Sequence, residues 1–463
     1  MRSERWRVVQ RLSLGSTNKN FFIYHNGFII FVKMVFRKIG ILVMAIILLS
    51  LLVPILLYAQ EEKPPTTNPL WIKELGDTVW CVDLSPDGKY VAVADWDDNI
   101  YLLDSKGNIL WTYSTEGNVW TVAISENSNY VVAGSKDKKL YFLDISGELL
   151  WSKQLDSYVT QVALSGEGEY IAASTVKGGV YCFSKAGEEL WRYNVGDKVW
   201  CVAIARDGSL VAAGSSDKNI YTFDIDGNLL WKYEADDTVT SIDISADGSY
   251  VVMGAQDEYL YVFDRDGNLL WSKMTGGTVW VALTPDGKFL ATGSRVAVSG
   301  AEVGLPSGYS YEFKTVEGER LWKVLINSSV LDIDVSDDGE YVVLGSWDGF
   351  VYLLDKEGDY IWIYGLSGDR VYAVSISSNG SYIVAGTKNS RVVFLSSSIV
   401  IGGKTDEKPS PGTAEGGISF EVIVALVIVV LIALYVVKKI YEGKKRKEKI
   451  EKFRATMRRK RQE

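Results

Sequence analysis

The sequence predicts an all-β ring of eight four-stranded blades, a β-propeller. Three observations carry that prediction: a tryptophan recurring with a period of 40, short strand-like runs between tight turns inside each repeat, and complementary strand phases at the two ends of the array. The tryptophans are Trp71, Trp111, Trp151, Trp191, Trp231, Trp271, Trp322 and Trp362; seven follow Leu and the last follows Ile361. In the unit spanning 190–229 the apolar runs LWRY, VWCVAI, LVAAGS and IYTFD are β-branched and aromatic, as strands are. Between them stand Gly196-Asp197, Asp207-Gly208, Asp217 and Asp226-Gly227, residues that supply the positive φ of tight hairpin turns. A lone unit of this kind cannot bury both faces, and stacking around an axis solves that problem. The first unit begins with an outer strand, LWIKEL, whereas the last ends after its third strand, RVVFLSSS. Residues 70–75 are therefore expected beside residues 391–396, closing the ring and pairing an edge that would otherwise be open.

The flanks have a different character. Residues 1–38 form a basic N-terminal segment with 8 Lys/Arg and one Glu, and Met34 offers a second start that would leave 1–33 outside the natural product. Residues 39–59 are an uncharged apolar run with Pro54 near its end and Leu57-Tyr58-Ala59 before polar sequence. That is the layout of a signal peptide cleaved after Ala59, with a retained anchor helix as the competing reading. Residues 60–69 and 399–418 are rich in Pro, Gly and charge and read as flexible linkers. Residues 419–437 read as a transmembrane helix and 438–463, with 13 Lys/Arg against four Glu, as a cytoplasmic tail attracted to the anionic inner leaflet. The propeller, residues 70–398, is then expected on the extracytoplasmic side of a cell membrane. Between the basic ends lie 28 basic and 53 acidic residues, a balance that argues against nucleic acid as a partner.

The phrase LSPDGKYVAVADWDDNIYLLD at 84–104 resembles the WD40 pattern of Ser-x-Asp-Gly, a small-residue strand and a turn Asp. DIDGNLLW at 224–231 is similar to the PQQ (quinoprotein) pattern in which Asp and Gly precede Leu-Trp. The resemblance implies a propeller and says little about activity, because one fold hosts many functions. It is also incomplete. The sole His is His25, so the WD40 Gly-His pair is absent, and no adjacent cysteines or matched quinone and calcium ligands are present.

Without His in the exported region, Ser-His-Asp, Cys-His and His-rich metal sites are excluded there. Cys81, Cys182 and Cys201 are odd in number and read as small packing residues. Asp87, Asp207, Asp247, Asp286 and Asp338 recur at one turn, and Asp97, Asp137, Asp217, Asp257 and Asp348 at another; recurrence points to turn geometry rather than acid–base chemistry. The DxDG phrases at Asp224 and Asp264 lack the distant Glu of a calcium loop. The reading is of a binding or assembly scaffold for a protein or glycan, with no catalytic residue, cofactor or metal. A PQQ-dependent dehydrogenase-like quinoprotein is the alternative.

A ring built from copies must place its specificity where the copies differ. The residue after the Val that opens each inner strand is Trp80, Trp120, Thr160, Trp200, Thr240, Leu331 or Tyr372, with Trp280 nearby in a unit one residue shorter. Trp80, Trp120, Trp200, Trp280 and Tyr372 are thus expected to line one mouth of the channel as a stacking surface, with packing between blades as the competing role. Asp83, Asp243 and Asp334 fall where four other blades carry Ala and are expected either to line an acidic channel or to be solvated near its mouth. The stretch 294–311 lengthens a connection in blade six, a loop position suited to recognition.

Overall fold

A computed structural model describes residues 64–401 apart from 276, 296–308 and 327, together with three short strands, Phe21–His25, Phe28–Val32 and residues 404–405. The chain divides into two units, one of residues 1–63 and 411–463, the other of 64–410. In the first, Phe21–His25 pairs antiparallel with Phe28–Val32. The segments expected to be a signal or anchor, a transmembrane helix and a cytoplasmic tail, and most of the long blade-six loop, lie outside the described residues. Among the described residues no helix is long and apolar enough to cross a membrane.

The second unit holds eight four-stranded antiparallel sheets. The inner strands of blades one to eight are Val79–Leu84, Val119–Ile124, Val159–Leu164, Val199–Ile204, Val239–Ile244, Thr278–Leu283, Val330–Val335 and Val371–Ile376. Blade eight takes its outer strand, Trp71–Glu74, from the other end of the array. Trp71 pairs with Phe394 and Glu74 with Arg391, the closure that the strand phases predict. The apolar clusters each draw on successive blades; at the seam Val79, Val82 and Leu84 of blade one pack with Ala373, Val384 and Phe394 of blade eight.

The repeated tryptophan explains how neighbouring blades are joined. Each outer-strand indole Nε1–H donates to a backbone carbonyl in the hairpin leading to the next blade's outer strand, or in blade eight to the equivalent segment after the third strand. The acceptors are Ser105, Ile145, Lys185, Ile225, Arg265, Val316, Lys356 and Ser396, at 2.7–3.0 Å. The ring also lies against that hairpin's glycine. A Cβ on Gly147 would come within 2.6 Å of Trp111, and the residue has φ 90°, so glycine is required there both for space and for backbone conformation. A second recurring bond occupies the turn aspartates. Tyr101, Tyr141, Tyr221, Tyr261 and Tyr352 donate to Asp97, Asp137, Asp217, Asp257 and Asp348 at 2.5–2.9 Å, so these carboxylates are structural.

The segment 60–69 reads as a linker from sequence, but its described part is docked on the ring. Ile363 N–H donates to Pro65 C=O at 2.8 Å, and Thr66 bridges Ile363 in parallel. The outer edge of blade seven is an open row of backbone groups, and an adjacent extended segment satisfies part of it.

Trp71→Phe keeps the ring packing and removes one indole donor, and should cost about 1–3 kcal/mol in denaturant unfolding. Deleting residues 64–75 should abolish the single cooperative transition of the whole ring. A deletion variant melting at the parent temperature would refute the closure argument.

Candidate functional site

The inner strands run side by side around the channel, so their starts define one mouth and their ends the other. In seven blades the strand start carries a β-bulge. Val79 pairs with Asp95 and Cys81 with Ala94, leaving Trp80 outside the ladder, and the same shift frees Trp120, Thr160, Trp200, Thr240, Leu331 and Tyr372. A bulge re-aims the extra residue. Trp80 and Trp200 are 39% and 38% exposed, whereas Trp120 and Tyr372 are half-buried. The inner strand of blade six has no bulge. Trp280 pairs with Gly293, as Cys81 does with Ala94, and packs against the apolar cluster between blades six and seven. It therefore stands one register position away from the other four.

Around Trp80 the aromatics form a continuous row across three blades. Trp80 stacks on Trp96 at 4.9 Å and meets Tyr372 at 5.1 Å. The Lys136 ammonium lies 4.8 Å from the Trp96 ring and 4.7 Å from Trp120, a cation–π bridge between blades one and two. Arg370 sits 4.4 Å over Trp347, and Lys198 5.6 Å from Trp200. Trp200 Nε1–H donates to Ser216 Oγ at 2.7 Å. Trp96, Lys136 and Trp347 escape the inner-strand pattern because they follow the second strand. The test that singled out Trp80, asking where copies differ, finds them too: the position reads Trp96, Lys136, Val176, Ser216, Gln256, Trp347 and Lys388 in the seven blades of regular length.

Asp83, Asp243 and Asp334 lie inside the channel, in two adjoining cavities of about 350 and 260 Å3. Each carboxylate reaches the next blade's inner strand and accepts a backbone N–H: Ile124 to Asp83 at 2.7 Å, Leu283 to Asp243 at 2.8 Å and Ile376 to Asp334 at 3.0 Å. Ser375 takes the same role in blade eight, accepting from Leu84. A fourth acid, Asp332, accepts from Val374 one tier away, at the register position of Cys81. Thr121 and Ser241 do likewise for Val162 and Val281. The acids are therefore blade-to-blade stitches as well as channel wall. Burial pushes Asp83 and Asp243 up to about 6, Asp332 to about 7 and Asp334 to about 8, while the donated N–H groups pull back and neighbouring carboxylates add to the rise at Asp332 and Asp334.

The far mouth is closed by a contact between blades distant in sequence. Arg206 of blade four makes a two-bond pair with Asp337 of blade seven, at 3.1 and 2.9 Å, and a second ion pair with Glu126 of blade two. The five other residues at this position are Pro86, Gly166, Ala246, Pro285 and Ser378, so its three charged residues converge on one clasp. Among the described residues no cluster of His, Cys, Asp and Glu has the arrangement to hold a metal ion. Burial pushes the Cys81 thiol up to about 12, as suits a packing cysteine.

Residues 136–364 match a PQQ-repeat family model described as outer membrane protein assembly factor BamB, and residues 67–169 match a λ-carrageenase β-propeller domain. The chain is a PQQ-like/WD40-like β-propeller. No curated protein matches it in sequence. Among solved structures the propeller is similar to Chaetomium thermophilum Sqt1 bound to the N-terminus of ribosomal protein L10, at 16% identity and TM-score 0.62 over 71% of this chain and 100% of that one. It is also similar to the computationally designed Ika8 protein, at 19% identity and TM-score 0.60 over 72% and 99%. At such identities the shared property is the fold.

The channel acids make the propeller pH-sensitive, with a defined sign. An Asp whose folded pKa lies above its unfolded value holds its proton in the ring and loses it in the unfolded chain, so its favourable contribution is complete below about 4 and falls as pH rises to the folded value. For Asp83 that window closes near 6. Asp83→Asn keeps an acceptor for Ile124 and removes the charge, so it should raise Tm at pH 8 by roughly 2–4 °C and give no gain at pH 4. Calorimetry at the two pH values checks both halves.

Proposed function

We propose that this propeller is a non-catalytic, membrane-tethered assembly scaffold that holds a protein partner at its aromatic mouth on the extracytoplasmic side. The observation that carries the reading is the bulged, outward-turned Trp80 with its neighbours Trp96, Tyr372 and Trp120. Large aromatic side chains that stay partly exposed on a rigid frame are the usual anchors of protein interfaces. Two similarities support it: the family model matched by residues 136–364 is described as an assembly factor, and Sqt1 is seen bound to the N-terminus of a ribosomal protein. The acidic ring between basic ends, with apolar runs at both flanks, supports the tether.

The test is capture from native membranes by the purified ring. Trp80→Ala and Trp200→Ala should leave Tm within about 2 °C of the parent and weaken retention by about 30-fold, the loss expected for a hot-spot tryptophan. If both variants instead melt far lower, at the roughly 3–5 kcal/mol cost of emptying a core site, the aromatics serve packing. The topology has its own check: protease added to intact cells should remove the ring and spare the basic tail. Digestion of the tail with protection of the ring would overturn the orientation.

A glycan is the second reading, favoured by the stacked Trp80–Trp96 pair within the stretch that matches the λ-carrageenase propeller domain. Loss of retention after glycosidase treatment of the membranes, but not after protease, selects it.

A further inference from the structure

The internal repeat serves as an alignment, and it isolates one residue that does not fit its slot. At the end of the second strand, blades two, four and seven carry Ser135, Ser215 and Ser346. Each hydroxyl donates to the carbonyl of the loop that enters the inner strand: Ser135 to Gly117 at 2.7 Å, Ser215 to Asp197 at 3.4 Å and Ser346 to Ser329 at 3.1 Å. Each also accepts the N–H two residues on, from Asp137, Asp217 and Asp348. In these three blades the side chain thus supplies one acceptor and one donor; blades three and eight carry Thr175 and Thr387 there, and blade five the apolar Ala255.

Blade one places Asp95 there, fully buried. Its Oδ1 accepts Asp97 N–H at 3.0 Å, as the serines do. Its Oδ2 is buried without a hydrogen-bond partner, in the place where blades two, four and seven present a donor to the loop. A carboxylate only accepts, whereas a neutral carboxylic acid has one oxygen to accept and one O–H to donate. A buried, unpaired charge is costly and is avoided by taking up the proton. The charged groups around it point the same way. Asp77 in the loop and Asp97 in the following turn are both acidic, and Tyr101 already spends its hydroxyl on Asp97. From blade eight, Lys388 meets this loop through its carbonyl, which accepts from Thr78. From blade two, Asn118 donates its amide to Trp96 C=O and the Lys136 ammonium rests on the Trp96 ring. No ion pair to Asp95 is found among the described residues. Burial, with Asp97 and Asp77 adding to it, outweighs their N–H groups and pushes Asp95 up to about 7.

We propose that Asp95 is held as the neutral acid in the folded propeller, standing in for the serine hydroxyl of other blades, and that its ionisation loosens the 75–78 loop that leads into Trp80. The loop is otherwise fixed by few bonds: Trp96 N–H to Thr78 C=O, Leu75 N–H to Ser390 C=O and Thr78 Oγ1 to Lys388 C=O. Ionisation places a charge under the loop and removes a donor, so blade one and its aromatic pair tighten in mildly acidic solution and relax in alkaline solution. The consequence for partner binding rests on the reading of the mouth given above; the state of Asp95 itself does not.

The experiment compares the full chain with Asp95→Asn and Asp95→Ser from pH 4 to 8.5, recording Tm and backbone amide exchange of residues 75–80. Both variants supply a donor and an acceptor without a charge, and the channel acids are common to all three proteins, so the difference between curves belongs to Asp95. Because the folded pKa is raised, the parent should match the variants at pH 4, begin to fall behind them above it, and lie roughly 2–4 °C below them at pH 8.5, with faster exchange in 75–80 than either variant at that pH. Variants that track the parent at every pH, or that melt lower than it at pH 8.5, overturn the proposal. Retention of partner by Trp80→Ala is a separate measurement, so a failure of the binding reading is distinguishable from a failure of this one.

Discussion

The ring depends on the contact that each outer-strand tryptophan makes with the next blade. A single four-stranded blade exposes two apolar faces and has no reason to be stable alone. The indole covers the hairpin glycine of its neighbour and donates to that hairpin's carbonyl, coupling apolar burial and a directional bond in one residue. Because eight copies make the contact in the same sense, the angle between blades is set eight times over. Closure then follows from the array's phase: Trp71 must come from the N-terminal end, where it pairs with Phe394 and stacks on it at 5.1 Å.

A frame fixed in this way permits variation at the channel. Within each inner strand the apolar residues that face the neighbouring blades are held by packing, while the positions that face the channel vary between Ala, Ser, Thr, Gln and Asp. Thr121, Ser241, Ser375 and the four Asp residues each accept a backbone N–H from the next blade, so even the variable positions contribute to the seam. The cost falls on the four channel acids, whose burial penalises the ionised form, with neighbouring carboxylates adding to it at Asp332 and Asp334. Their raised proton affinities are the signature of that compromise.

The two mouths differ for the same reason. At the strand starts, a bulge in seven blades throws one residue out of the ladder, and Trp80, Trp120 and Tyr372, so placed, join Trp96 and Lys136 in a row across three blades. At the strand ends, small residues and prolines let Arg206 reach across to Glu126 and Asp337. The channel thus carries aromatics at one mouth and a charged bridge at the other, which gives the propeller a polarity that its repeats do not have individually.

Much of this was legible in the residues themselves. The period of the tryptophans, the turn glycines and the end phases determine the blade count, the strand order and the closure, because those are properties of local patterning and covalent connectivity. The identity of Trp80, Trp200 and the inner-strand acids as departures from the repeat was equally readable. What the tertiary structure decided is how departures in different blades meet. Trp96 and Lys136 join Trp80 and Trp120 only because blades one and two are neighbours. The displacement of Trp280 depends on a bulge that blade six lacks, and the Arg206 clasp links residues 80 and 131 positions apart. The docking of 64–67 on blade seven, in a stretch whose composition reads as a free linker, has the same origin. An open strand edge is invisible in one dimension, and only the folded ring brings it beside the segment that covers it.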